Sequence, residues 1–236
     1  MLEIRNLTKK YKGGKVAVDN LSLTVEAGDI FAFIGHNGAG KSTTIKSVVG
    51  ILEFDSGVIF IDGHSVKDEP MACKKDLAYI PDNPDIYDHL TGIQYLNFIG
   101  DVFGVDSATR TAKIDDYATR FDIKKNLGDM VGSYSHGMKQ KLVLISALMH
   151  SPKLLVMDEP FVGLDPKASF EVKNIMRELC KEGAAIFFST HVLEVAEKLC
   201  NKVAIIKDGK LVVCGDTETV VGSGSLESVF LKSEEV

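Results

Sequence analysis

The chain has 236 residues, 45% hydrophobic and 25% charged, with a formal net charge of −6. That length supports one sizeable core, or one core with a smaller lobe, and the acidic balance argues against general nucleic-acid binding, which needs a basic stripe where this chain scatters its lysines among carboxylates. No apolar run approaches the roughly 20 residues of a membrane span, so work at a membrane would require docking on a protein that crosses it.

In chain order, LEIRNLTKKY and LSLTVEAGD alternate apolar and polar positions and predict half-buried antiparallel strands, with Gly13-Gly14 marking the turn between them. The start, MLEIRNLTKKY, holds no apolar signal segment. IFAFI, residues 30–34, is a continuous apolar run that ends in glycine-rich sequence and leads into a helical stretch from Lys41 to Gly50. Comparable short runs recur at KLLVMD (153–158), AAIFFST (184–190) and KVAIIKDG (202–209), the first two followed by helical stretches. Buried parallel strands alternating with helices predict an α/β core, with the opening strands as a small antiparallel β layer. Between Pro84 and His150 the apolar residues take helical spacing from Thr91 onward, which predicts a mostly helical subdomain over residues 84–150 inserted in that core. Asp208-Gly209 reads as a hairpin turn into KLVVCG, and the tail beyond Gly222 as a helix or a frayed end. Cys73, Cys180, Cys200 and Cys214 form no CxxC pair and are expected to be buried, reduced thiols.

GHNGAGKS, residues 35–42, satisfies the pattern GxxxxGK[ST] in the context its mechanism needs, after an apolar strand and before a helix. Gly35, Gly38 and Gly40 let the backbone curl so that successive N–H groups face inward, and the helix start adds partial positive charge for phosphate oxygens. Lys41 is placed to reach the β- and γ-phosphates, and Ser42 to offer its hydroxyl to Mg²⁺. The alternative is a glycine-rich turn that matches by chance. In LLVMDE, residues 154–159, a strand delivers Asp158 to the C-terminal edge of the sheet, where it can hold Mg²⁺, and Glu159 beside it is a candidate to accept a proton from the attacking water.

These motifs, followed in order by YSHGMKQ, LLVMDEP, VGLD (162–165) and STH ending at His191, resemble the ATP-binding cassette family, specifically the nucleotide-binding subunit of an ABC transporter, over nearly the whole chain. The resemblance implies a P-loop NTPase core, ATP as substrate and Mg²⁺ as cofactor. It assigns Gly35, His36, Asn37, Gly38, Ala39, Gly40, Lys41, Ser42 and Thr43 to nucleotide binding, Tyr11 to a ring against adenine, and His191 to the γ-phosphate. It makes Tyr134, Ser135, His136, Gly137 and Met138 the signature motif, which faces ATP held by a second subunit, and puts Asp165 at the interface between the two. The implied partners are that second cassette, identical or different, and transmembrane permease subunits, with the chain peripheral on the cytoplasmic face of the membrane; likeness to bacterial exporter cassettes implies outward transport.

Two departures stand out. The common signature is Leu-Ser-Gly-Gly-Gln, and here Tyr134, His136 and Met138 replace its first, third and fifth residues. Asp82 stands where the family usually has a glutamine, as a Mg²⁺ ligand or as a cap for the next segment. Rival readings are a soluble cassette acting on ribosomes or DNA, a regulator that binds nucleotide without turnover, and a GTPase, though no NKxD guanine-recognition motif is visible.

Overall fold

Period-two alternation turns one face of Leu2–Lys10 (β1) and Val16–Val25 (β2) inward, and the two strands pair antiparallel with Leu2 opposite Val25. The register slips between Ile4 and Leu7, beside Asn6, which like Asn20 takes left-handed backbone (φ 51° and 53°), a conformation asparagine tolerates better than most residues. The computed structural model describes the backbone of residues 1–235 and the side chains of residues 1–233.

After β2 come Ile30–Ile34 (β3), Lys41–Val48 (α1), Ser56–Ile61 (β4), His64–Ser65 (β5), Pro70–Asp76 (α2) and Leu77–Ile80 (β6). Then follow Gly92–Val102 (α3), Ser107–Arg120 (α4), His136–Leu148 (α5), Leu154–Asp158 (β7), Pro166–Lys181 (α6), Ala185–Thr190 (β8) and Leu193–Leu199 (α7). Lys202–Lys207 (β9), Lys210–Asp216 (β10), Thr217–Val221 (α8) and Leu226–Glu235 (α9) complete the order. One sheet runs β2-β1-β4-β5 and is antiparallel; the other runs β10-β9-β3-β8-β7-β6, parallel except for β10. The hairpin at Asp208-Gly209 forms as its sequence predicts, with φ 48° and 79° on the two turn residues.

Strand β3 is buried along both faces. Phe31 and Phe33 point into a core shared with the antiparallel sheet and α1, where Phe187 of β8 lies with ring centroids 5.8 and 5.5 Å from theirs. Ile30, Ala32 and Ile34 point the other way, into a second core built with α5, α6 and the rest of the helical region. Each fully buried large apolar side chain stabilises the fold by roughly 1.5–3 kcal/mol.

Helices α3, α4 and α5 occupy the chain between β6 and β7. A capping box starts α3, with Thr91 Oγ1 accepting from Gln94 N–H and Gln94 Oε1 accepting from Thr91 N–H at 2.9 Å. Residues Leu142 to Leu148 of α5 are all buried, so this half-helix is the seam between the helical region and the sheet. At the end of α4, Arg120 clasps α6, donating to Glu171 at 2.5 Å and bidentately to Glu178 at 2.9 and 3.0 Å. Arg120→Ala should cost about 2 kcal/mol in urea unfolding, between the value of an exposed pair and that of a buried one, because Glu171 is left largely covered without its partner.

Two sequence expectations need correction or completion. Cys73 and Cys200 are buried, but Cys180 is half-buried and Cys214 is exposed, since it lies on the outward face of β10, where residues alternate. Residues 51–83, which the sequence reading left without elements, supply β4, β5, α2 and the edge strand β6. Among the described residues no helix is long and apolar enough to cross a membrane.

Candidate active site

The loop from Gly35 to Gly40 leaves the C-terminal end of β3 and curls into α1, with Gly38 and Gly40 at φ 85° and 115° and Ala39 N–H donating to His36 O at 3.1 Å. Its neighbours demand glycine. A Cβ on Gly40 would lie 2.5 Å from Ala17 O, and one on Gly35 would lie 2.5 Å from Ile206 O, so β2 and β9 press the loop from two sides. Gly209 of the β9–β10 hairpin donates to Ala39 O at 2.9 Å and supports it from below. Lys41, 6% exposed, directs Nζ to Gly35 O at 2.5 Å and His36 O at 3.3 Å, and stands 3.7 Å from Glu159 Oε1.

Strand β7 ends at Asp158, buried to 3% exposure. Ser189, at the same level of neighbouring β8, donates its hydroxyl to Asp158 Oδ1 at 2.5 Å and accepts from Glu159 N–H at 3.0 Å. Glu159 has φ 49°, an unfavourable backbone for a long side chain that persists only where its surroundings fix it. His191 Nδ1 lies 2.9 Å from Glu159 Oε2, so the carboxylate is held between a histidine and a lysine.

Tyr11, His36, Asn37, Gly38, Gly40, Lys41, Ser42, Thr43, Asp82, Asp158 and Glu159 line one cavity of about 270 Å³, and His191 joins it through Glu159. Gly35 and Ala39 stand behind the lining, where they let the loop pack on β9 and the hairpin. Tyr11 follows β1, half-exposed, with its hydroxyl 3.3 Å from Thr43 Oγ1. Burial, with Asp158 and Asp82 adding to it, pushes the nearby Tyr79 phenol up to about 12, so it remains neutral.

Ser135, His136, Gly137 and Asp165 are not in that lining and form a second cluster. Ser135 caps α5 by accepting from Met138 N–H at 3.2 Å, and Asp165 caps α6 by accepting from Ala168 N–H at 2.8 Å, with Pro166 in the first turn. The hydrogen bond and charge of Lys141, 2.7 Å away, together with the Ala168 N–H, hold Asp165 below the usual carboxylate range. Gly163, at φ 78°, lies under the His136 ring, whose Cδ2 is 2.5 Å from where a Cβ on Gly163 would be; a Cβ on Gly137 would meet Gly163 O at 2.8 Å. The bulk that His136 adds is therefore seated on the loop before Asp165.

Sequence reasoning passed over Lys15 and Ala17, which also line the cavity, and Ser189, whose only signal was its place in STH. Ser189→Ala leaves buried Asp158 and the Glu159 N–H each short of a partner, a loss of about 1–3 kcal/mol that we expect to lower kcat tenfold or more while MgADP binding persists, as steady-state kinetics and calorimetry would show.

Chemically, the cavity offers a curled run of backbone amides, the cations of Lys41 and Lys15, and a set of hard oxygen donors. Among the described residues no three His, Cys, Asp or Glu side chains come close enough to hold a metal by themselves. The donor set of Ser42, Asp158 and Asp82 fits Mg²⁺, which takes few protein oxygens and completes its shell with phosphate and water. A family model described as ABC transporter matches residues 18–162.

The chain belongs to the ABC transporter family. This ABC cassette is 37% identical over 214 residues to the ABC transporter ATP-binding protein YhcH of Bacillus subtilis (strain 168), covering 90% of the chain and 68% of that protein. It is 33% identical over 218 residues to the linearmycin resistance ATP-binding protein LnrL of the same organism, covering 91% and 69%. A solved structure, "Structure of ATP binding subunit of ABC transporter", superposes with a TM-score of 0.95 at 31% identity and covers 99% of both chains. The cassette is thus an ATPase of the P-loop class, with a mostly parallel sheet, an antiparallel β layer and an inserted helical region.

Proposed function

We propose that this cassette powers a separate transmembrane permease by pairing with a second cassette around two molecules of MgATP, working on the cytoplasmic face of a membrane and moving its cargo outward. The observation that carries the pairing is the separation of the two clusters. Ser135, His136 and Gly137 open a helix start whose amides suit an anion, yet none of them lines the chain's own phosphate cavity, so their ligand belongs to another chain. The name of the solved neighbour, a subunit of a transporter, and the resistance named for LnrL support the permease and the outward direction. An apolar groove of about 370 Å³ between β6, α3 and α5, lined by Ile86, Tyr95, Ile99 and Phe103, offers the helical region a place to receive the permease. His150 in that groove stacks on Phe103 at 3.8 Å, and burial lowers its pKa, which favours the neutral ring.

In the cavity, the loop amides and Lys41 bind the phosphates, Tyr11 meets the adenine, and Ser42, Asp158 and Asp82 hold Mg²⁺. When bound, the ion neutralises charge that develops on the transferred phosphoryl group. Glu159 accepts the proton of the attacking water, and His191 keeps that carboxylate in place and meets the γ-phosphate. Asp165 and the His136-covered loop carry closure of one site to the other.

Light scattering on Glu159→Gln protein tests the pairing. Its molar mass should double with MgATP and remain monomeric when Ser135→Ala is added. A doubling that survives Ser135→Ala would remove the signature cluster from the interface.

A further inference from the structure

None of the motifs assigns a task to α9, yet it is firmly seated. Leu226 is fully buried and its N–H donates to Glu197 Oε2 at 2.8 Å, Phe230 is 9% exposed, and Lys207 Nζ donates to Ser233 O at 3.3 Å. The Phe230 ring meets the ring of His36, centroids 4.8 Å apart with planes at 60°. His36 is the second residue of the phosphate loop. Its carbonyl accepts from both Ala39 N–H and Lys41 Nζ, and it lines the nucleotide cavity. One residue therefore joins the C-terminal helix, on its side chain, to the curl that cradles phosphate, on its backbone.

We propose that Phe230 is a positioning residue for nucleotide binding: α9 braces the phosphate loop through His36, so that nucleotide affinity and docking of α9 are linked. The proposal rests on the reading of the 270 Å³ cavity as the nucleotide site. Its sign follows from the loop's conformation. Gly38 and Gly40 hold positive φ, which the flexible unfolded loop would share with many other conformations, and a fixed His36 limits that freedom. A brace that orders the loop before binding reduces what binding must order, so its removal weakens affinity. Linkage is reciprocal: a nucleoside diphosphate in the cavity must steady α9 by the same factor. Leu231, the residue after Phe230 on α9, is 58% exposed, so the helix keeps a face in solvent from which the brace can be loosened.

MgADP is the suitable probe, because a diphosphate fills one chain's loop without calling for a second cassette. Calorimetry should give a Kd roughly three- to tenfold weaker for Phe230→Ala, the size of one lost aromatic pair, and a value within about twofold of wild type for Phe230→Tyr, which keeps the ring. Amide exchange of residues 226–235 should slow on adding MgADP to the wild-type chain. In His36→Ala, measured at MgADP concentrations where calorimetry shows the site filled, that slowing should shrink, a result that a contact serving α9 alone would not produce; this variant also carries the test should Phe230→Ala not fold. Equal Kd values for wild type and Phe230→Ala, or exchange in α9 indifferent to MgADP, would overturn the brace while leaving the nucleotide site standing. Failure of the wild-type chain to bind MgADP would overturn both.

Discussion

Glu159→Gln is expected to bind MgATP as tightly as the wild-type chain and to release phosphate roughly 10²- to 10⁴-fold more slowly, the range set by loss of a positioned general base. The substitution changes little else. Glu159 is 14% exposed, its Oε2 faces His191 Nδ1 at 2.9 Å, and its backbone is pinned by the Ser189 hydroxyl at 3.0 Å. The amide has the carboxylate's shape and one acceptor oxygen, so the pinning survives. What it lacks is the capacity to take a proton from water. A phosphate-release rate within threefold of wild type would move the base elsewhere, and the exposed carboxylate of Asp82, which lines the same cavity, would be the next to replace.

Gly40→Ala should abolish nucleotide binding, weakening MgADP by more than about 100-fold, through a collision as well as strain. The added Cβ would stand 2.5 Å from Ala17 O and 3.1 Å from Ile206 Cδ1, at a φ of 115° that side chains rarely adopt. Backbone on one side and a packed side chain on the other leave no cheap relief, so the loop must move away from the α1 N-terminus it feeds. Gly38→Ala is the control. Its φ is 85°, but nothing lies within 4 Å of the new methyl, so only conformational strain of about 1 kcal/mol applies and binding should fall no more than about tenfold. Calorimetry of the two variants side by side separates contact from backbone preference; equal losses would mean that the pressure from Ala17 is unimportant.

The parts of this fold that were legible in the sequence are those whose signal is local. IFAFI, LLVM and AIFF are unbroken apolar runs because their strands are buried on both faces, and the glycine pattern after IFAFI states its own chemistry. Asp208-Gly209 was readable because KVAII precedes it and KLVV follows. The same turn chemistry stands at Asp62-Gly63, with φ 49° and 85°, yet β5 is only two residues long, too short to announce a hairpin. Strand β6, four residues before Pro81, is equally quiet; it is a strand because β7 lies beside it. Ser189 could not be assigned from STH because its role depends on β8 running next to β7 with Asp158 opposite it. The seating of His136 on Gly163 joins residues that only the packing of α5 against the loop before α6 brings together. Cys214 escaped for the opposite reason: an apolar-looking run, KLVVCG, is an edge strand with one face in water.

The division of β3 between two cores has a thermodynamic consequence. Phe31 and Phe33 on one side, and Ile30, Ala32 and Ile34 on the other, tie the antiparallel layer and the helical layer to the same five residues, so neither layer can melt without stripping the strand that supports the other. The phosphate loop hangs from the end of that strand. A nucleotide gripped there stabilises the shared strand, and through it both layers, by RT ln(1 + [L]/Kd), so saturating ligand should raise a single cooperative melting transition rather than split the cassette into separately melting parts.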